Sequence, residues 1–505
     1  MNSAPTQRTD ELSVQLGTGT AFVLAGQAAF VLGGYLLHLY LARAIPPLAY
    51  GTYGLIMNIL TWAETILNSG IPWAMRRHLA SATRDAQQIL AASLRWQLVV
   101  SVALLVLTLV AAPWFSTQLN DAAMTAPLQL AFLDILFMGL YTLYRGALNG
   151  LRLFAAQGLT MFAYTGVKLL ASLFLVSLGG SLQGAIIGNT VSALAGALVA
   201  LWLLRRATGF AWSALLGVDR FQHPAYDGRK ILGFAAPTVL FTLSSTFLTT
   251  IGLVAVKARV ADGVQVAYYS AANYLAMAPS VLLVAFSFTL FPHLARSVTM
   301  QDWAAARSLI STAVRYLALV LLPGIAVVIS MSSGLVALLY PPSYAAAAPL
   351  LSLLIISTGL HSLFMVFANS ILAEGRTGLA LGISAGLVPL SMGASWYLAA
   401  ARGPQGAATA AVVTTAVEVA VAGLYVTRRF RVRMPWPALA RMALASIPLI
   451  IVPRLYLPSG LLLIPFLGAL FLLYGLGLVI LREIDGQEVA AWRAALLKWR
   501  VRTSG

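Results

Sequence analysis

Four ionisable side chains stand where water is scarce. Glu64, Asp134, Lys168 and Glu418 each lie near the middle of a largely apolar run of about twenty residues. If such a run crosses a bilayer, a charge at its centre costs about 2.5–3.5 kcal/mol. Four of them, unpaired and dry, would cost roughly 10–14 kcal/mol. They are therefore expected to face the interior of a helix bundle, where ionisable groups are functional candidates. Asp134 and Lys168 sit on consecutive runs, each about a dozen residues from the turn near 147–155, so their depths match. One reading pairs them as a structural ion pair. In the other, Lys168 faces a cavity and holds an anionic group as a point charge with rotatable donors. Glu64 has no basic neighbour at its depth in adjacent runs. It suits a proton or cation site, or a neutral acid bonded to the next helix. Glu418, at a similar depth in the second half of the chain, has the same two readings.

The elements that must position these groups are transmembrane helices. About fourteen apolar runs follow one another at roughly 18–43, 50–75, 92–115, 123–147, 155–178, 183–206, 231–256, 264–291, 308–332, 345–373, 377–400, 405–427, 437–456 and 459–481. A bilayer core about 30 Å thick needs roughly 20 helical residues, so each run is long enough. Only 9% of the 505 residues are charged and 60% are apolar, which predicts an all-α polytopic membrane protein. The first run is too long for a signal-peptide core and is expected to be retained.

The net charge of +17 follows from topology rather than from nucleic-acid binding. With the N-terminus inside, 25 of the 32 Lys and Arg fall in connectors on one side and 5 on the other. That bias places both termini in the cytoplasm. Arg43, Lys257 and Arg259 oppose it, clustering at the outer ends of runs 1 and 7. They read either as receivers of an anionic group leaving the protein or as headgroup contacts with Asp262 as a partner. Arg315, about two turns into run 9, is expected to snorkel to the cytoplasmic face or to meet an entering anion. His361 and Asn369 in run 10 read as helix–helix hydrogen bonds. Gly70, Pro72, Pro237, Pro279, Pro323 and Pro389 fall inside runs, where neighbouring helices re-satisfy freed backbone groups.

Three local matches recur in order: RRHLA at 76–80 with FPHLA at 291–295, ALNGLR at 147–152 with ILAEGR at 371–376, and LQGA at 182–185 with PQGA at 404–407. Their spacing predicts two six-helix lobes, 18–207 and 231–430. An even number of spans per lobe relates them by a pseudo-twofold along the membrane normal. A cytoplasmic tail (1–17), an inter-lobe linker (208–230), two extra spans (431–482) and a cytoplasmic tail (483–505) complete the chain. In the last, Asp485 and Glu488 form a capping box before an amphipathic helix.

The segment YLARAIPPLAYGTYGLIMNIL at 40–60 is similar to the start of bacterial polysaccharide-export proteins, and ALNGLRLFAAQGL at 147–159 resembles their turn between spans four and five. With the QGA opening of span six, the basic end of span twelve and the two extra spans, nearly the whole chain resembles the oligosaccharide flippases of the multidrug/oligosaccharidyl-lipid/polysaccharide exporter superfamily. The resemblance implies two lobes around a cavity open alternately to each side. It implies movement of polyprenyl-diphosphate-linked oligosaccharide to the outer leaflet of the cell inner membrane for O-antigen, capsule or exopolysaccharide (lipopolysaccharide) synthesis. The energy would come from an ion gradient (proton or sodium), the membrane potential or consumption of product outside, with polysaccharide polymerase and export machinery as partners. The path candidates are then Glu64, Asp134, Lys168, Glu418 and Arg315, with Arg43, Lys257 and Arg259 as outer diphosphate candidates. A multidrug exporter of the same superfamily and a lipid II flippase are the alternatives.

Enzymatic readings fare worse. There is no cysteine, the five histidines show no ligand spacing, and neither metal nor cofactor is expected. No GxxxxGK[ST] motif exists to bind ATP. The longest connector, about 25 residues, leaves no room for a catalytic domain.

Overall fold

The chain, seen in a computed structural model, is described over residues 4–81, 85–216, 228–277, 290 and 292–484, and among these it is all-helical. The helices are α1 (Ala4–Ala44), α2 (Pro47–Ser69), α3 (Ile71–Ser81), α4 (Ala86–Gln118), α5 (Thr125–Phe132), α6 (Asp134–Gly150), α7 (Phe154–Leu175), α8 (Ser181–Thr208), α9 (Trp212–Leu215), α10 (Gly228–Arg259), α11 (Val264–Ala276), α12 (Trp303–Leu339), α13 (Ala347–Ala373), α14 (Thr377–Phe430), α15 (Trp436–Leu455) and α16 (Leu463–Ile480). The capping box and amphipathic tail expected beyond Glu483 fall at 485–505, outside the described residues, as does most of the stretch 278–291.

Helix ends follow local chemistry. Pro47 opens α2, where a missing N–H costs nothing. The run expected to continue to residue 75 instead breaks at Gly70, whose backbone (φ −89°, ψ −110°) leaves the helix, and α3 starts afresh with Pro72 in its first turn. Gly179 (φ 89°) separates α7 from α8. Inside α14, Arg402 (φ −133°) and Gly403 (φ 60°, ψ −146°) leave the helical region.

Ten helical stretches among the described residues are long and apolar enough to cross a membrane. Two of these, 154–208 and 377–430, hold the breaks just named and run to 55 and 54 residues. At about 1.5 Å per residue either would be roughly 80 Å long if straight, more than twice a bilayer core. Fourteen separate spans are a finer division than this.

The chain packs as two compact units, Met1–Tyr274 with Thr377–Thr414, and Leu275–Arg376 with Thr415–Gly505. In the first, α7 lies along both α1 and α8 with backbones in close approach. A Cβ on Gly158 would meet the Phe22 carbonyl oxygen at 2.5 Å, and one on Gly188 the Ser172 Cα at 2.8 Å. Small residues are what permit such packing where lipid removes the hydrophobic drive between helices. Ile71, Met75, Leu79, Leu90, Leu94, Leu143 and Leu148 bring α3, α4 and α6 into one core. In the second unit, Met331 of α12 packs with Met442 and Leu449 of α15 and Leu470 and Leu478 of α16. The Tyr474 hydroxyl donates to the Leu319 carbonyl at 3.0 Å, so the last two helices are fastened to α12. Outward-facing Val110, Leu170 and Leu472 are more than 70% exposed, an apolar surface suited to acyl chains.

Candidate functional site

The first unit gathers three of the four mid-span charges. Asp134 opens α6 and is fully buried, its Oδ1 accepting a hydrogen bond from the Asn189 amide of α8 at 3.2 Å. Glu64 of α2 and Lys168 of α7 lie within electrostatic reach of Asp134 and of each other. Both are half-buried. The direct Asp134–Lys168 ion pair read as one option from matched depths does not form. Asn189, which the sequence reading passed over, takes that place, and Lys168 engages both carboxylates through space.

Lys168 is held by a column of aromatic rings. Its Nζ lies 5.8 Å from the centroid of Tyr164. Tyr164 stacks on Tyr141 at 5.1 Å with an 8° angle between planes. The Arg145 guanidinium caps the other end, 5.1 Å from the Tyr141 ring, and donates to Asn68 Oδ1 at 3.1 Å. A cation over a ring face is attracted to its quadrupole. Both contacts are i, i+4 pairs, Tyr141 with Arg145 and Tyr164 with Lys168, a spacing that places side chains on one helix face. That spacing is the signal by which the column could have been found from sequence. Near Arg145, Arg76 donates to the Pro72 carbonyl at 3.2 Å and stacks on Trp73 at 4.6 Å. Burial, with Arg145 adding repulsion, pushes the Arg76 guanidinium down to about 10, so it stays charged at neutral pH. Two arginines thus stand at the end of a column that leads to Lys168.

Glu418 stands in the second unit with a different neighbour. It is fully buried, and its Oε2 lies 3.1 Å from His361 Nδ1 on α13. The helix–helix bond expected of His361 is therefore present, with an acid as its partner. Arg315 does not project freely to the cytoplasmic face. Its Nε donates to Glu483 Oε1 at 2.7 Å and its terminal nitrogen to the Glu483 carbonyl at 2.6 Å, while Arg441 reaches Glu483 Oε2 at 3.3 Å.

The outer cluster is rearranged in a similar way. Lys257 pairs with Asp121 at 2.7 Å, a partner 136 residues away, rather than with Asp262. Asp262 instead accepts from the Val264 backbone N–H at 3.0 Å to close the turn before α11. Arg43 donates to the Leu39 carbonyl at 3.1 Å and is exposed, as is Arg259. Among the described residues there is no group of three His, Cys, Asp or Glu that could hold a metal ion.

Residues 16–298, more than half of the chain, match the family described as polysaccharide biosynthesis protein. The chain belongs to that family. No curated protein sequence matches it. Among solved structures, the lipid II flippase MurJ in an inward closed conformation is similar at 13% identity, with a TM-score of 0.71, 94% of this chain and 99% of that one covered. An inward-facing multidrug resistance MATE family transporter of the MOP superfamily is similar at 15% identity, TM-score 0.69, covering 79% of this chain and 94% of that one. A MOP superfamily transporter from Pyrococcus furiosus follows at 15% identity, TM-score 0.60, with 83% and 95% covered. At such identities the likeness is one of fold. This polysaccharide biosynthesis family member has the fold of MOP superfamily transporters.

Proposed function

We propose that the protein is a flippase that carries polyprenyl-diphosphate-linked oligosaccharide from the inner to the outer leaflet of the inner membrane by alternating access. Family membership points to polysaccharide synthesis, and the observation that carries the reading is the cluster of fully buried Asp134 with half-buried Glu64 and Lys168. A scaffold would not need charge at that depth, and its cost is accepted where a polar path must exist. Arg76 and Arg145 would meet the diphosphate at the cytoplasmic end, and Lys168 would receive it at mid-depth. Two carboxylates hold Lys168, so the anion gains full use of that cation when Glu64 or Asp134 takes up a proton or yields its hold. Exposed Arg43 and Arg259 would take the diphosphate as it leaves, with Lys257 freed from Asp121 in that state.

In this reading fourteen spans form two six-helix lobes (18–207 and 231–430) plus two C-terminal helices, with both termini cytoplasmic. A proton or sodium gradient, or consumption of the product by polymerase and export machinery, supplies the drive. The product is O-antigen, capsule or exopolysaccharide. Deletion in the native host tests it, with extracellular glycan and intracellular lipid-linked intermediates measured together. Loss of surface glycan with intact lipid-linked units left on the cytoplasmic leaflet is the expected result. Unchanged glycan with greater sensitivity to cationic dyes would overturn the reading in favour of multidrug export. Loss of cell-wall precursor flipping would point to lipid II.

A further inference from the structure

We propose that an apolar cleft between α2, α3, α4 and α10 of the first unit holds the leading isoprene units of a polyprenyl diphosphate whose charged head lies on Arg76 and Arg145. The place of the head rests on the flippase reading. The place of the chain is the further step.

The cleft forms where α2 breaks. Buried Gly70, Ile71 and Gln97 make its floor, and half-buried Ile66, Val100 and Val239 make its walls, around about 200 Å³. Ala236 at the lip is exposed, so the cleft opens at the surface of the unit. An apolar cavity of roughly 150 Å³ takes a benzene ring, so this one has room for roughly one or two isoprene units of a single chain. Gly70 keeps that room: a Cβ there would lie 3.1 Å from the Ile66 carbonyl oxygen and 3.3 Å from Val239 Cγ2. Gln97 is the one polar side chain of the lining. Its amide donates at 3.3 Å to the Leu67 carbonyl, one of the last four of α2, which the helix cannot satisfy by itself. The group that could have made the floor polar is thereby engaged, and the lining is hydrocarbon in character.

Two cations flank the cleft. Arg145 donates to Asn68, two residues before Gly70, and Arg76 reaches back to the Pro72 carbonyl, next to Ile71. Among the described residues neither guanidinium meets a carboxylate, and Arg145 repels Arg76. Two such cations attract an anion of matching charge, which guanidinium groups bind with paired N–H donors. A diphosphate between a prenyl chain and a sugar carries twice the charge of a phospholipid phosphodiester, and it trails one chain rather than two. Depth agrees with this arrangement. Trp62 donates to Thr250 at 2.7 Å while Gly70 faces Val239, so α10 runs antiparallel to α2 and starts at the end where α3 stops and α4 begins. Gly70, Gln97 and Ala236 lie about 12–17 Å in from that end. Arg76 is five residues beyond Ile71, roughly 8 Å nearer the end. Head outward and chain inward is the order of a lipid in a leaflet. Bilayer tails are as apolar as the cleft, so the cleft alone gives hydrocarbon no reason to enter. The head supplies affinity, and the cleft decides which chain can follow it.

The test uses full-length protein in lipid nanodiscs and a polyprenyl diphosphate with a photoreactive diazirine in the isoprene units next to its diphosphate. After illumination and digestion, mass spectrometry should find the label on Ile66, Val100, Ala236 or Val239. Geranyl diphosphate should displace it, whereas geraniol, which lacks the charged head, should need at least about tenfold more. Ala236→Trp, filling the lip from an exposed position, should lose most of the label while unfolding like the wild type. Leu472→Trp, on another exposed face, should keep it. Label confined to outward faces such as Leu170 and Leu472 overturns the proposal. So does displacement by phosphatidylglycerol as effective as that by geranyl diphosphate, which would make the cleft an ordinary lipid contact. If Ala236→Trp does not fold, the wild-type label map and its displacement decide alone. In proteoliposomes, a wild type that flips polyprenyl-diphosphate oligosaccharide with its cleft unlabelled removes the cleft and keeps the flippase reading. A labelled cleft in a wild type that flips nothing removes the flippase reading and keeps the prenyl site.

Discussion

The two units solve the same problem, ionisable groups buried in a helical membrane protein, with different chemistry. The first sets a lysine among acids: Lys168 lies over the Tyr164 ring and within reach of Glu64 and Asp134. The second places Glu418 beside a histidine, far along its helices from any described Lys or Arg. A lysine beside two acids offers a compact charge with rotatable donors. A histidine–glutamate contact ties two helices together through a hydrogen bond. The contrast is between a cation among acids in the first unit and a helix–helix hydrogen bond to an acid in the second.

The largest break in that contrast is removal of the first unit's cation. Lys168→Met removes the cation beside buried Asp134 and half-buried Glu64, with the roughly 3–5 kcal/mol of a dry, directly paired ion pair as the upper bound. Glycan export in a complemented deletion strain should fall at least about a hundredfold (some 2.7 kcal/mol), whereas Lys168→Arg should restore part of it, with membrane protein levels measured alongside. The two acids should then separate by environment. Asp134→Asn, at a fully buried position bonded to Asn189, should cost about tenfold in export. Glu64→Gln, at a half-buried position, should cost less. Equal losses would mean that both carboxylates act as one unit.

Arg315→Ala sharpens the comparison from the other side. Glu483 is almost fully buried, so losing its main partner should lower unfolding stability in detergent by about 1–3 kcal/mol, below the figure for a dry pair because Arg315 is 26% exposed. Arg315 and Glu483 form a network separate from the His361–Glu418 contact. The smallest effect is expected from Lys257→Gln. Its pair with Asp121 is partly solvated, so stability should change by no more than about 1 kcal/mol in the same unfolding assay.

The sequence shows the helices because their causes are local. Apolar length, Pro47 at a helix start, Gly179 and Gly403 at breaks and arginines at ends can all be read within a few residues. The break at Gly70 is local too, announced by Asn68–Ser69 before it and Pro72 after it, but the apolar segments further out on both sides make the run read as continuous to residue 75. Burial depth of the charges is likewise legible, since position within a run sets it. Partners are not. Lys257 finds Asp121 across 136 residues and Arg315 finds Glu483 across 168, distances over which spacing carries no information. Asn189 and the tyrosine column carry only a weak sequence signal, the i, i+4 spacing of Tyr141–Arg145 and Tyr164–Lys168, because amides and aromatics are common in membrane helices. Only their convergence on Asp134 and Lys168 gives them meaning.

The most direct test of the account is to follow a fluorescent polyprenyl-diphosphate oligosaccharide across proteoliposomes holding wild type or Lys168→Met. The account predicts movement to the opposite leaflet with wild type and little above protein-free liposomes with the variant. Wild-type and variant proteins that move the lipid equally, or a wild type that moves none, would contradict it.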